Sequence, residues 1–175
     1  MKKVVSSFSL LLCLTFLTTS CWGQDRPSPA KTASGKVGDA TITIDYSSPA
    51  VKGRTVWGDL VPYNDVWRTG ANEATVIKFD KDVTVEGKKL SAGEYALFTI
   101  PTADRWTVIF NDEAKQWGAF NYNAEKDVLR VEVSPKKARD FAEQMEFVIE
   151  SDGNQAGTIY LTWENMMIPI KIKVG

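Results

Sequence analysis

The chain has 175 residues, of which 21 are Lys or Arg and 22 are Asp or Glu, so its formal net charge at pH 7 is −1. Without a basic excess there is no electrostatic case for binding nucleic acid or a membrane surface. The chain has no histidine and only two cysteines. We therefore expect no Ser-His-Asp triad, no zinc site of imidazole or thiolate ligands, and no metal or cofactor.

The first 23 residues have the pattern of a bacterial export signal. Lys2 and Lys3 precede an apolar run at residues 8–17, and small residues follow at 20–23. The run is shorter than the roughly 20 residues that a membrane-spanning helix needs. We expect an exported protein, periplasmic or secreted, with no transmembrane segment after removal of residues 1–23. Both lysines leave with that segment while all 22 acids stay, so the net charge becomes −3.

Two processing routes fit the end of this segment. Cys21 and Gly23 give the small-x-small pattern of ordinary signal peptidase, which we favour. Residues 18–21 also resemble a loose lipoprotein box, in which the signal ends at Ser20 and a lipid on Cys21 anchors the protein to the membrane. Because Cys13 is the only other cysteine, the mature domain has no disulfide under ordinary cleavage.

The rest of the chain has the patterning of an all-β protein. Residues 24–38 are rich in Pro, Ser, Lys, Ala and Gly, which predicts a flexible leader before a single domain at 39–175. Apolar and polar residues then alternate with the period of a strand. The predicted strands are 41–46, 76–80, 83–85, 94–100, 106–110, 129–133, 145–149, 159–163 and 168–174. About nine short strands predict an antiparallel β-sandwich, with a closed β-barrel as the alternative.

Two segments have further signals. Ser134 and Pro135 suit the start of a helix, and Ala138, Phe141, Ala142 and Met145 follow with helical spacing, so we predict one short helix over residues 134–143. In the last predicted strand, residues 168–174, Pro169 and outward-pointing lysines indicate an edge strand.

The connection between Tyr46 and Thr75 is far longer than the usual 2–6 residues, and it contains most of the candidate site. Flat rings and a few fixed polar groups are what a sugar or peptide needs from a concave site. We predict an aromatic wall with directional hydrogen bonds beside it. The expected ligand-binding residues are Arg54, Trp57, Tyr63, Trp67, Arg68, Asn72, Glu73 and, from a second irregular stretch, Trp117.

Two other interpretations of the connection stay open. In a structural one, its tryptophans cap the end of the sandwich, while Arg68 pairs with Glu73 or Asp65 and donates to loop carbonyls. In an enzymatic one, two carboxylates act as acid and base as in glycosidases, and Glu73 is the best single candidate for a catalytic residue. The acids considered for that pair are Glu73, Asp65, Asp59 and Glu164.

A calcium site is the weakest alternative. One turn between strands carries three acids, Asp80, Asp82 and Glu86, but their spacing does not match the sequence pattern of a calcium-binding loop. We interpret them as a solvated turn.

Several motifs resemble one known family. They are Ser48-Pro49, Gly53-Arg54, Trp57-Gly58, residues 60–63 (LVPY), residues 67–75 (WRTGANEAT), residues 93–95 (GEY), Trp117-Gly118, residues 127–133 and Trp163-Glu164. They are similar to motifs of the exported bacterial "domain of unknown function 2911" family (DUF2911), over roughly residues 41–174. The resemblance implies a secreted or periplasmic protein of envelope-bearing bacteria, and it brings no activity or catalytic residue with it.

The expected function is therefore a non-enzymatic binding or interaction module of the bacterial cell envelope, which recognises a carbohydrate or peptide-like ligand. The alternatives are a metal-independent, carboxylate-based hydrolase and a purely structural envelope protein. The oligomeric state is not predicted by the sequence.

Overall fold

A computed structural model describes residues 26–175 as ten strands and one short 3-10 helix, Ala124–Lys126. The strands are β1 (Ala30–Val37), β2 (Ala40–Ser47), β3 (Thr75–Phe79), β4 (Val83–Val85), β5 (Lys88–Leu90), β6 (Gly93–Ile100), β7 (Trp106–Asn111), β8 (Asp127–Val133), β9 (Lys136–Gly153) and β10 (Ala156–Val174). The predicted export signal and Cys21 lie outside the described residues. In the part of the chain that is described, no helix is both long and apolar enough to cross a bilayer.

The strands form two antiparallel sheets. The larger has the order β1-β2-β3-β6-β7-β8, and the smaller has the order β5-β4-β10-β9. Alternate residues of each strand point inward, so Ile44, Ile77 and Leu97 of the larger sheet join Met145 and Leu161 of the smaller sheet in one buried cluster. The predicted antiparallel sandwich is confirmed, and over residues 26–175 the sheets do not close into a barrel.

The predicted flexible leader is wrong from Ala30 onward, because β1 pairs with β2 along its whole length. Gly35 allows β1 to pack against β9, since a Cβ at this position would lie 2.8 Å from the side chain of Ile149. The small residues of β1 give little hydrophobic signal, and this made the strand look like a linker. The ordered fold therefore begins by residue 30, not near residue 39.

The helix predicted over residues 134–143 is also wrong, because most of this segment belongs to β9. Glu164 of β10 pairs with Ala142, but Met166 pairs with Lys137, so residues 138–141 form an extended bulge opposite a single residue. A bulge breaks the two-residue period of a strand. The spacing that remains around it imitates a helical face.

The last predicted strand, residues 168–174, is the final part of β10, which lies between β4 and β9 in the strand order. The first part of β10 pairs with β9 up to Met167, and residues 172–174 pair with β4. The strand bends so strongly that the amide of Val174 donates to the carbonyl of Gln155, just before its own start (2.8 Å). Glu164, at the irregular register, has a left-handed φ of 56°.

Candidate functional site

Four tryptophans meet in the interior of the sandwich. Trp57 and Trp67 come from the long connection, Trp106 from β7 and Trp163 from β10. Trp57 contacts Trp106 edge-on with ring centroids 5.0 Å apart, and Trp67 stacks on Trp163 at 6.0 Å. Trp67 is only 8% exposed, and Trp57 packs against the same core. We call these four residues the tryptophan cluster; it belongs to the core and excludes Trp117.

The backbone at Trp67 explains which side chains point inward. Trp67 and Thr99 of β6 exchange two backbone hydrogen bonds, at 2.8 and 2.9 Å. The segment at Trp67 therefore continues the sheet alongside β6, past Thr75, the residue at which β3 begins. Side chains of successive extended residues point to opposite faces. Trp67 therefore enters the core, and Arg68 is directed to the outer face of the larger sheet.

Thr69 turns the chain immediately after Arg68. It has a φ of +52° and is fully buried, which is a strained backbone conformation for a β-branched residue. Its hydroxyl lies within hydrogen-bond distance of the carbonyl of Trp67 (3.3 Å) and the hydroxyl of Thr99 (3.2 Å). The Thr75 hydroxyl donates to the Thr69 carbonyl at 2.8 Å. Buried hydrogen bonds thus hold the strained turn.

Glu73 lies on the surface and pairs with Arg26, not with Arg68. The Arg26 Nη1 lies 2.8 and 3.0 Å from the two carboxylate oxygens, and both side chains are about half exposed. Hydrogen bonding from its own backbone amide, and then from Arg26, holds the pKa of Glu73 below its ordinary value. The carboxyl group is therefore ionised at neutral pH.

An open groove with a volume of about 370 Å³ lies beside Glu73, on the outer face of β1, β2 and β3. Its polar lining consists of Arg26, Lys31, Thr32, Asp45, Ser47 and Glu73. The Thr32 hydroxyl donates to Asp45 at 2.5 Å, and the ammonium of Lys31 donates to Gln144 at 3.1 Å. Positively charged, negatively charged and neutral hydrogen-bonding residues thus line one shallow surface, which we call the groove.

Trp117 is placed next to Glu73 by backbone pairing. The two residues form an antiparallel bridge, and hydrogen bonds flank it from Ala74 N to Gln116 O (3.0 Å) and from Gly118 N to Asn72 O (3.1 Å). Residues directly opposite each other in such a pair have neighbouring side chains on one face. The Trp117 side chain is 57% exposed, so its ring is available beside the Glu73 carboxylate.

The family model described as "Protein of unknown function (DUF2911)" matches residues 28–172. The chain belongs to this family. The resemblance noted from the sequence is thereby confirmed, and the match reaches from just before β1 into β10. No curated protein and no solved structure matches the chain.

A polar network holds the segment of this DUF2911 domain that carries Trp117. The Tyr122 hydroxyl donates to Asp127 at 2.5 Å, Arg130 contacts both groups, and Asn111 donates to the other oxygen of Asp127 at 2.8 Å. Burial, and then the hydrogen bond to Asp127, raises the pKa of Tyr122 to about 12. The Tyr122 ring packs edge-on against Phe98, so the segment is fastened to the outer face of the sheet.

The remaining predicted site residues have local structural contacts. Arg54 donates to the carbonyls of Ala50 (2.5 Å) and Val51 (3.0 Å), which is the role that the structural interpretation gave to Arg68. The ring of Tyr63 packs over Gly58, where a Cβ would approach it to 3.1 Å. Neither Arg54 nor Tyr63 lines the groove of this DUF2911 domain.

Asn72 connects residues 67–75, which we call the central motif, to the start of the described fold. Its side-chain amide donates to the carbonyl of Ser28 at 3.3 Å, and the amide of Ser48 donates to Pro29. With the pair between Arg26 and Glu73, these bonds hold residues 26–29 along the rim of the groove.

The carboxylates proposed for catalysis are not gathered in the groove. Of the four acids considered, only Glu73 lines it, and the other carboxylate of the lining is Asp45, which the sequence did not single out. A glycosidase acid needs a raised pKa, whereas the pKa of Glu73 is lowered. The enzymatic interpretation therefore gains no support from this geometry.

The acids of the turn that was considered for calcium and interpreted as solvated act separately. Asp80, Asp82 and Glu86 each accept a different backbone amide, from Thr41, Ala92 and Lys171 respectively, all at 2.7 Å. Within residues 26–175 no three or more Asp, Glu, His or Cys side chains are grouped as metal ligands.

Sequence reasoning missed the groove residues of β1 and β2. Arg26, Lys31 and Thr32 fell in the presumed leader, and Asp45 was taken only as the polar half of a strand. The alternation of Thr32, Ser34 and Lys36 with small residues is the signal that could have revealed β1.

Proposed function

We propose that this protein is a non-enzymatic binding module that takes a carbohydrate or peptide-like ligand along the groove, with Trp117 as its stacking surface. One observation carries the proposal: backbone pairing holds an exposed indole next to an ionised carboxylate at the rim of a groove. A flat ring with fixed polar groups suits sugar rings and peptide planes.

The chemistry of the groove fits a polar ligand. Asp45 and Glu73 supply acceptors, while Arg26 at the rim and Ser47 supply donors, beside the outer face of a rigid sheet. The volume of about 370 Å³ lies at the lower end of the range typical of ligand sites, which suits one or a few sugar or amino-acid units. Reversible binding is favoured over hydrolysis because none of the other acids considered for catalysis lines the groove, and Glu73 is ionised and so does not suit the role of general acid.

The proposed setting is the bacterial cell envelope, with the protein periplasmic or secreted. Its support is the export pattern of residues 1–23, in which two lysines precede a short apolar run. Anchoring through a lipid on Cys21 is the alternative setting. In both cases the groove would face the polymers of the envelope.

The test is a glycan and peptide binding screen followed by calorimetry on each hit. We expect Trp117→Ala to weaken binding by about tenfold or more, as the loss of a central aromatic contact does, while the melting temperature stays close to that of the wild type. Phe120→Ala is the matched control, because Phe120 is 84% exposed on the same segment but, unlike Trp117, is not paired with Glu73. Glu73→Gln should also weaken binding.

Two results would contradict the proposal. One is equal affinity of the Trp117→Ala and Phe120→Ala proteins for every hit. The other is a screen without any hit, which would favour the purely structural interpretation. Turnover of a glycan that disappears in Glu73→Gln would replace the binding module by the hydrolase.

A further inference from the structure

Arg68 is a cation without a partner. Its Nε is buried and has no hydrogen-bond acceptor, and in residues 26–175 its guanidinium forms no ion pair. No described side chain or carbonyl accepts a hydrogen bond from its terminal nitrogens either, although the residue is partly buried. Burial alone lowers the pKa of Arg68. Within residues 67–75 the other polar side chains have hydrogen-bond partners, so Arg68 is the exception in that motif. Elsewhere in the described chain, the indole nitrogens of Trp57, Trp106 and Trp163 and the side-chain oxygen of Gln116 are also buried without a partner.

An unpaired guanidinium is costly in such a place. Removing a charge from water without a compensating partner costs free energy, and a surface arginine could avoid this cost by turning outward. Val66, two residues before Arg68, packs against a second buried cluster on this face that contains Phe98 and Ile109. Arg68 is thus partly removed from water with no described counter-charge.

The backbone leaves Arg68 little freedom to move away. Trp67 on one side is fixed in the tryptophan cluster, and the strained Thr69 is fixed on the other. Gly70 follows in close contact, since a Cβ there would lie 2.9 Å from the Thr75 hydroxyl and 3.1 Å from the carbonyl of Ser47. Strain that a structure maintains through several buried contacts is a reason to look for function.

We propose that Arg68 is the receptor for an oxyanion, a carboxylate or phosphate group of a bound ligand. The planar guanidinium presents two parallel N–H donors that match two oxygens of such a group. An oxyanion would neutralise the charge and use the donors that the chain leaves free. This site does not depend on the groove, which Arg68 does not line.

The experiment follows the Nε–H resonance of Arg68 by nitrogen-15 NMR during titration with acetate, inorganic phosphate or chloride at constant ionic strength. We expect a saturable shift with acetate or phosphate and none with chloride; the stronger of the two identifies the oxyanion class. The effective anion should also raise the melting temperature of the wild type. Arg68→Met, which keeps the apolar stem and removes charge and donors, should lose that increase.

The controls separate a receptor from a structural cation. Arg105→Met removes an exposed arginine that pairs with Glu132, and it should keep the full response to the anion. Without anion, Arg68→Met should be at least as stable as the wild type, because it removes an uncompensated charge. The inference is overturned if the shift is linear and identical for all three anions, or if Arg68→Met is strongly destabilised while Arg68→Lys is not.

Discussion

The tryptophan cluster and the groove are made by the same motif, yet they differ in almost every property. Trp67 is buried among other rings, whereas Glu73, six residues later, is about half exposed and pairs with an equally exposed arginine. The alternating directions of an extended segment send one side chain into the sandwich and its neighbour out. A shared motif can therefore stabilise the core and present a surface at once, so a structural and a binding role are not alternatives.

Side chains of the tryptophan cluster should also contribute more to the free energy of unfolding than those of the groove. Burial of a large aromatic side chain contributes about 3–5 kcal/mol, judged by the cost of its truncation to alanine. An exposed ion pair contributes about 0–1 kcal/mol. Substitutions in the two regions should therefore separate into those that unfold the protein and those that only change its surface.

The largest expected effect is that of Trp67→Ala. We expect a loss of about 3–5 kcal/mol in the free energy of unfolding, since a cavity opens between Trp57 and Trp163. Urea denaturation measures it. Trp117→Ala is the matched control and should change the free energy by less than about 0.5 kcal/mol. Equal losses of unfolding free energy in the two variants would contradict the distinction between a stabilising core region and a surface region.

A smaller effect is expected for Thr69→Val, at the junction of the regions. Valine has the shape of threonine but leaves the Thr99 hydroxyl and the Trp67 carbonyl without the Thr69 hydroxyl. We expect a loss of about 1–3 kcal/mol in unfolding free energy, measured by the same denaturation. Thr69→Ser keeps the hydroxyl and should retain most of the stability; if serine is as damaging as valine, these hydrogen bonds do not hold the turn.

The smallest effect concerns the ion pair at the rim of the groove. Glu73→Gln should cost at most about 1 kcal/mol at neutral pH, because both partners are exposed. Since folding lowers the pKa of Glu73 below 4.5, its contribution is complete above that value and is lost as the pH falls through the folded pKa. The stability difference between wild type and variant should therefore vanish in acid. A difference that grows towards low pH would show that the pKa has the opposite shift.

Much of the fold could be predicted from the sequence, and the failures have physical causes. Alternation locates strands well, and it also places Trp106 and Trp163 on inward faces, although nothing local shows that Trp67 will join them. The pattern fails at residues 138–141, where a bulge removes the two-residue period, and at β1, whose small residues carry little hydrophobic signal.

The candidate site was less accessible from the sequence. The motif itself could be recognised, but the direction of Trp67 depends on a backbone pair with Thr99, 32 residues away along the chain. The partner of Glu73 likewise depends on where residues 26–29 cross the motif. Contacts between distant segments have no periodic signature, so only the folded arrangement reveals them.

Because the chain enters the described fold at the rim of the groove, a tag fused directly before Arg26 would begin beside the groove. The carboxyl terminus lies at a different place. Val174 donates to the carbonyl of Gln155, and Gln155 contacts Gly38, which follows the last residue of β1. The length of β1, about 25 Å of extended chain, separates this point from the groove. Affinity tags and fluorophores for interaction assays are therefore best attached at Gly175, where they leave the entrance unobstructed.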